Sequence, residues 1–271
     1  ALRRAMSPYP EDSIHYVPTL EEELEKYKSV TLDDTVSIYQ DLMNGVHGEV
    51  VIVGDFETSA VMPSLETLVE NWESEAAFAR IPEAAQVDLP GREITIETPD
   101  KANAVYLAGL NLAIKDGDAD FAPLVMANFI LGGGSLASRL GDRVRQQEGL
   151  SYGIRSGFSA HPIDDRGRLT ISAITNPNNQ TKLEKAISEE LNRWIEEGIT
   201  EEELKRAQQG YLQGQQLQRS NDRVLTGLIG STLFAGRTLD YYADLEKAIG
   251  RLYPEAVNET VRKRISSNKL I

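Results

Sequence analysis

Apolar and polar positions along this chain alternate between helical and strand spacing, and the residues between those runs mark where elements begin and end. Residues 1–18 show no period and read as an extended lead-in. Thr19 with Glu22 has the spacing of a capping box, and Thr31 followed by Leu32, Asp33 and Asp34 opens a second helix that runs to about Asn44. Val36, Tyr39 and Met43 recur at helical spacing and predict its buried face, and Asn44-Gly45 ends it. The continuous apolar run Val50-Val51-Ile52-Val53 predicts a short strand covered on both sides. Residues 58–73 read as helical, punctuated by Pro63, and a proline-bearing linker fills 80–91.

Glu93 to Thr98 alternates as a strand does, and Asn103 to Ile114 predicts a longer apolar strand with Val105, Leu107 and Gly109 on one side. A turn at Asp116–Asp120 leads into a hydrophobic helix, Phe121 to Leu131, which delivers the chain to Gly132-Gly133-Gly134. In the short helix that follows, Leu136, Leu140 and Val144 form one apolar stripe, and Arg139, Arg143 and Arg145 lie off it. Gly149 suits a left-handed cap, after which Tyr152, Ile154, Ser156 and Phe158 are expected to share one strand face. That strand and residues 168–175 predict an antiparallel hairpin. From Asn178 onward helices dominate: Leu183, Ile187, Leu191, Trp194 and Ile195 make one amphipathic face ending at Gly198, and Thr200 with Glu203 caps the next helix. Residues 222–235, 239–249 and 254–265 add three more, and Asn268 to Ile271 reads as entry into a final apolar strand of a longer protein.

Together these elements predict an α+β fold, a mixed sheet with helices packed on one face. Residues 1–90 are expected to hold the lead-in helices, a first buried strand and the linker, and residues 91–271 the main α+β domain with its helical C-terminal part. The net charge of −14 repels nucleic-acid backbones and anionic membrane surfaces, so neither is an expected partner. With no cysteine there is neither a disulfide nor a thiolate ligand or nucleophile. No run reaches the roughly 20 apolar residues that a membrane-spanning helix needs.

Gly132 to Ala137 fits the dinucleotide pattern G-x-G-x-x-A, but that fingerprint requires a preceding strand, and here a helix is predicted instead. His15, His47 and His161 stand alone, with no second histidine three or four residues away, so the chain offers no zinc site of its own. Arg145 and Tyr152 remain. They are either an arginine on a solvated helix face and a tyrosine packed at a strand start, or two hydrogen-bond donors for a peptide carbonyl or developing oxyanion. Glycine loses more conformational freedom on folding than any other residue, so three in a row suggest a loop that closely approaches something.

The order GGGS, SRL and RQQEGLSYGI resembles the carboxyl-side domain of the pitrilysin/insulinase-type zinc metallopeptidases, the inverzincins, which include the mitochondrial processing peptidase. The resemblance extends to VTLDDTVSIYQDLMNG with VVIVGDFE, and to TEEELKRAQQGYLQG. It implies a clam-shell peptidase in which two similar halves enclose a chamber. One half carries H-x-x-E-H, whose histidines bind zinc and whose glutamate activates water. The other supplies the Arg/Tyr pair. On that resemblance Arg145 and Tyr152 are catalytic, reaching the substrate carbonyl, and Gly132, Gly133, Gly134 and Ser135 border the peptide path. H-x-x-E-H is absent from this chain, so zinc is expected on a complementary half, and a peptide is the expected substrate. The alternative is a structural or interaction subunit that keeps the fold without the chemistry.

Overall fold

The computed structural model describes residues 1–43, 47–70, 72, 76–134 and 137–271. They form two compact units: residues 1–17, 83–216 and 241–271 make the first, and residues 18–82 and 217–240 the second. Neither is one continuous stretch of chain.

The first unit is built on β1 (Ala104–Leu112), β2 (Ser151–Ala160) and β3 (Gly167–Thr175), ordered β1-β3-β2 and antiparallel throughout. The predicted hairpin is therefore present, with β3 central. Register places Leu110 opposite Leu169 and Leu169 opposite Phe158, while Ala108, Ile171 and Ser156 form the next row. Period-two alternation sends these residues to one face, where α5 (Phe121–Asn128) and α6 (Gln180–Glu196) bury them, with α10 (Pro254–Arg264) packed on those two helices. The predicted stripe of α6 is the centre of that core, with Leu183, Ile187, Leu191 and Trp194 all buried. Asp120, at the start of α5, accepts from Lys263 (2.9 Å) and Arg264 (2.7 Å) of α10, which fixes the two helices together. Gly198 ends α6 with φ +77°, in the left-handed region where only glycine is unstrained. The helices α7 (Glu201–Gln218) and α9 (Asp240–Gly250) follow the sheet.

On the opposite face of the sheet Val105, Leu107 and Ile174 are exposed, and Met6 of α1 (Leu2–Met6) lies over Gly109. The expected strand at Glu93–Thr98 does not form, and Ile94 and Ile96 are exposed. The free edge of β1 is engaged at Gly109 by Ile271, which exchanges two backbone hydrogen bonds with it (2.8 and 3.0 Å). A strand exists only through its ladder, and residues 93–98 have none. The expected final strand is reduced to that one pairing.

The second unit contains α2 (Leu20–Ser29), α3 (Leu32–Asp41), α4 (Thr58–Val69) and α8 (Asp222–Phe234). The predicted capping box of Thr19 with Glu22 is formed, and the predicted helix start at Thr31 is one too, with Asp34; each pair exchanges side-chain and backbone bonds. The buried face expected of α3 is absent, because Val36, Tyr39 and Met43 are all exposed; no residue of α2, α3 or α4 is buried. The run Val50–Val53 is no strand and is not covered on both sides: Val50 and Ile52 are exposed, Val51 and Val53 half-buried. A continuous apolar run reports a preference for burial on both sides, which nothing among the described residues satisfies. The expected stop at Asn44-Gly45 lies outside them.

Candidate functional site

The glycine run follows a helix and not a strand, so the dinucleotide pattern lacks its structural context. Gly132 and Gly133 are not loop residues. They close a π-helical turn, Phe129–Gly133, that continues α5, and Gly134 N–H donates to Phe129 O at 2.7 Å, a five-residue step. None of the three has a positive φ. Each has a partner within the chain: a Cβ on Gly132 would lie 2.5 Å from Ser156 N and 2.6 Å from Ser156 Oγ, one on Gly133 2.8 Å from Asn128 Nδ2, and one on Gly134 2.8 Å from Phe129 O. Packing within the chain thus accounts for the glycines at 132 and 134, where backbone atoms stand in the way, while at Gly133 the nearest atom is the end of the Asn128 side chain. Ser135, expected beside them, and Leu136 lie outside the described residues. Gly132→Ala is expected to cost about 1–3 kcal/mol, since the backbone of β2 stands in the way. A urea titration returning wild-type stability would contradict that packing role.

The segment with the three arginines is a π-helix, Gly141–Gln147, with Leu140 and Val144 fully buried as the stripe predicts. Its arginines have different fates. Arg139, before the helix, is largely buried: its Nε and Nη2 reach the two carboxylate oxygens of Glu203 at 2.7 and 2.9 Å, and Nη2 also donates to Gly198 O at 2.7 Å. Glu190, fully buried on α6, lies 3.9 Å from Arg139 Nη1 and accepts from Arg193 at 2.9 Å. Burial would raise the Glu203 carboxyl, but the bonds from Arg139 and Thr200 outweigh it and hold the group below its usual range. Arg143 bonds Glu148 and reaches Glu189 at 2.7 Å. Arg145 is exposed and has no ion pair or hydrogen bond among the described residues.

Gly149 follows this helix with φ +63°, as its predicted cap requires, and the chain enters β2. There the expected face assignment fails for one residue. Ser151 pairs with Thr175 and Gly153 with Ile174, so Tyr152 is the extra residue of a β-bulge. Ile154 and Ser156 point into the core as expected, while the bulge turns Tyr152 outward, 93% exposed. Ser151 holds the bulge: its buried hydroxyl lies 2.7 Å from Ile174 O and accepts from Gly153 N–H at 3.1 Å. Its part was not legible, because a serine before a tyrosine carries no bulge signal. The π-helix packs directly on β2, so Arg145 and Tyr152 are carried by adjoining rigid elements.

The histidines serve local structure. His161 Nδ1 accepts the amide hydrogens of Ile163 (3.2 Å) and Asp164 (2.9 Å), closing the turn between β2 and β3. Among the described residues no three His, Asp or Glu side chains converge as a metal would need, and no helix is long and apolar enough to cross a membrane.

A family model described as the peptidase M16 inactive domain matches residues 29–211. The chain belongs to that family. It is 24% identical over 248 residues to a Helicobacter pylori protein named "Non-peptidase homolog YmxG", covering 91% of this chain and 56% of that one. Its fold matches a peptidase M16 inactive domain from Pseudomonas fluorescens with a TM-score of 0.78 at 23% identity, over 99% of this chain and 62% of the other. An inactive peptidase domain from Bordetella parapertussis matches at TM-score 0.52 and 17% identity, covering 63% of this chain and 92% of its own. The chain thus spans a little over half the length of the Helicobacter relative. As an M16 inactive domain it is homologous to parts of zinc proteases, and its motifs GGGS, SRL and the Arg145-to-Tyr152 spacing stand inside the matched span.

Proposed function

We infer that this chain is the substrate-binding, non-zinc part of a zinc metalloendopeptidase that hydrolyses peptides in an enclosed chamber. Arg145 and Tyr152 donate hydrogen bonds to the substrate carbonyl, next to a zinc ion held by the H-x-x-E-H motif of a complementary half. One observation carries this reading. Of three neighbouring arginines two are bound by carboxylates, while the third, Arg145, has no ion pair or hydrogen bond among the described residues and stands on an element adjoining a tyrosine that a bulge turns into solvent. Burial explains neither side chain, for both are exposed. The exposed part of the glycine turn, Gly133, with Gly134 and Ser135 beyond it, borders the peptide path in this reading.

The chain alone is expected to cleave no peptide and hold no stoichiometric zinc, and to support cleavage when combined with its H-x-x-E-H half. Metal analysis finding one tightly held zinc per chain would sink the assignment, as would a combined preparation that binds the zinc half without peptidase activity. That second result would favour a structural or interaction subunit, the reading that the name of the Helicobacter relative supports.

A further inference from the structure

On the face of the sheet turned away from α5 and α6, the strand register lays out rows of three side chains. The row beside Tyr152 is Val105, Ile174 and Gly153, and the next is Leu107, Ser172 and Arg155. Val105, Leu107 and Ile174 are each more than half exposed. Gly153 has no structural reason of its own. Its φ is not positive, and a Cβ there would meet nothing within 4 Å, unlike those at Gly132 and Gly134. The bulge does not require it either, since only a left-handed bulge position calls for glycine. A strand glycine that neither strain nor packing demands marks a place where a ligand comes close. Charge on this face runs against that of the chain. The three strands contain no aspartate or glutamate, although the chain has 42 acidic residues, and their two arginines, Arg155 and Arg168, both stand on this face. Arg155 is exposed, donates to Ser172 Oγ at 3.3 Å and has no ion pair among the described residues.

We propose that these two rows form a specificity subsite for the peptide: the hollow over Gly153, walled by Val105, Leu107 and Ile174, takes an apolar side chain next to the scissile bond, and Arg155 takes an acidic side chain two residues farther from that bond. The proposal rests on the function inferred above and names the class of peptide that the same site selects. Tyr152 directly precedes Gly153, which puts the scissile bond at the Gly153 end of the subsite. Successive rows lie two strand residues apart, roughly 6.6 Å, and alternate side chains of an extended peptide have the same spacing. The whole-chain charge of −14 would favour a basic peptide. Charges more than about 8 Å apart are largely screened at physiological salt, however, so the group that meets the peptide decides. That group is a guanidinium, whose planar fork matches a carboxylate.

Cleavage of a peptide library by the chain combined with its H-x-x-E-H half tests this. Peptides with Leu or Phe flanking the scissile bond and Glu two positions beyond are expected to be cleaved with about tenfold higher kcat/KM than those with Lys at that second position, since attraction of Glu and repulsion of Lys by an exposed arginine each contribute about threefold. Arg155→Glu is expected to reverse this preference. Gly153→Val fills the hollow with a strand-forming side chain and is expected to lower the preference for Leu over Ala at the flanking position about tenfold. Neither variant should lower the melting temperature, because Arg155 is exposed and position 153 has room for a Cβ. Equal cleavage of the Glu and Lys peptides, a preference for Lys, a Glu preference that survives Arg155→Glu, or a Leu preference untouched by Gly153→Val overturns the subsite and leaves the inferred function standing. A variant that no longer associates with the zinc half overturns it in favour of that half as the cover of this face. A combined wild-type preparation that cleaves no peptide overturns both.

Discussion

Arg145→Ala, in the reconstituted peptidase, is expected to lower turnover by about 10²–10³, the usual cost of removing an oxyanion donor. Tyr152→Phe is expected to do the same, and it removes a single hydroxyl. The magnitude follows from when the interaction is made. A donor aimed at charge that develops only in the transition state lowers the barrier without tightening substrate binding, so kcat should fall and KM should hardly move. Neither substitution should disturb the fold, because Tyr152 is 93% exposed on its bulge and Arg145 holds no partner among the described residues. Unchanged melting with a collapsed kcat therefore isolates the chemistry. Unchanged turnover in both variants would move the assignment to a structural subunit.

What the residues revealed beforehand divides by the range of the forces involved. Local signals were readable: the capping boxes at Thr19, Thr31 and Thr200 form, the left-handed glycines Gly149 and Gly198 end their helices, and the Leu183 to Trp194 stripe is the core. Features set by a neighbour across the fold were not. A strict period of two puts Tyr152 on the face of Ile154, and only the pairing of β2 with β3 reveals the extra residue that turns it outward. Glu203 reads as a capping-box residue, and it is one, but its carboxylate also takes both arms of Arg139 from 64 residues away. The glycine run suggested a ligand because its true neighbours, Ser156, Asn128 and Phe129, become visible only when the helix end crosses β2. Val50–Val53 states a preference for burial on both sides that the described residues meet only in part, at Val51 and Val53.

Arg139→Met is the substitution expected to cost the fold most, about 3–5 kcal/mol, the range for breaking a buried ion pair by removing one partner. The methionine fills much of the volume but leaves Glu203 and the fully buried Glu190 without the guanidinium that faces them, and Gly198 O without its donor. Arg143→Met is the control: its partners Glu148 and Glu189 are 33% and 47% exposed, so water replaces the lost bonds and about 1 kcal/mol or less should be seen. The deficit at Arg139 also has a pH signature. Because the folded Glu203 carboxyl is held below its ordinary value of 4.5, the stability it contributes is present above that pH and is lost as pH falls through the depressed folded value. Wild type and Arg139→Met should therefore differ fully near neutrality and converge in acid, once Glu203 is protonated in both. Urea midpoints measured from neutral pH down to about 3 would test this. A gap that stays constant across the range would assign the cost to lost packing and not to the ion pair.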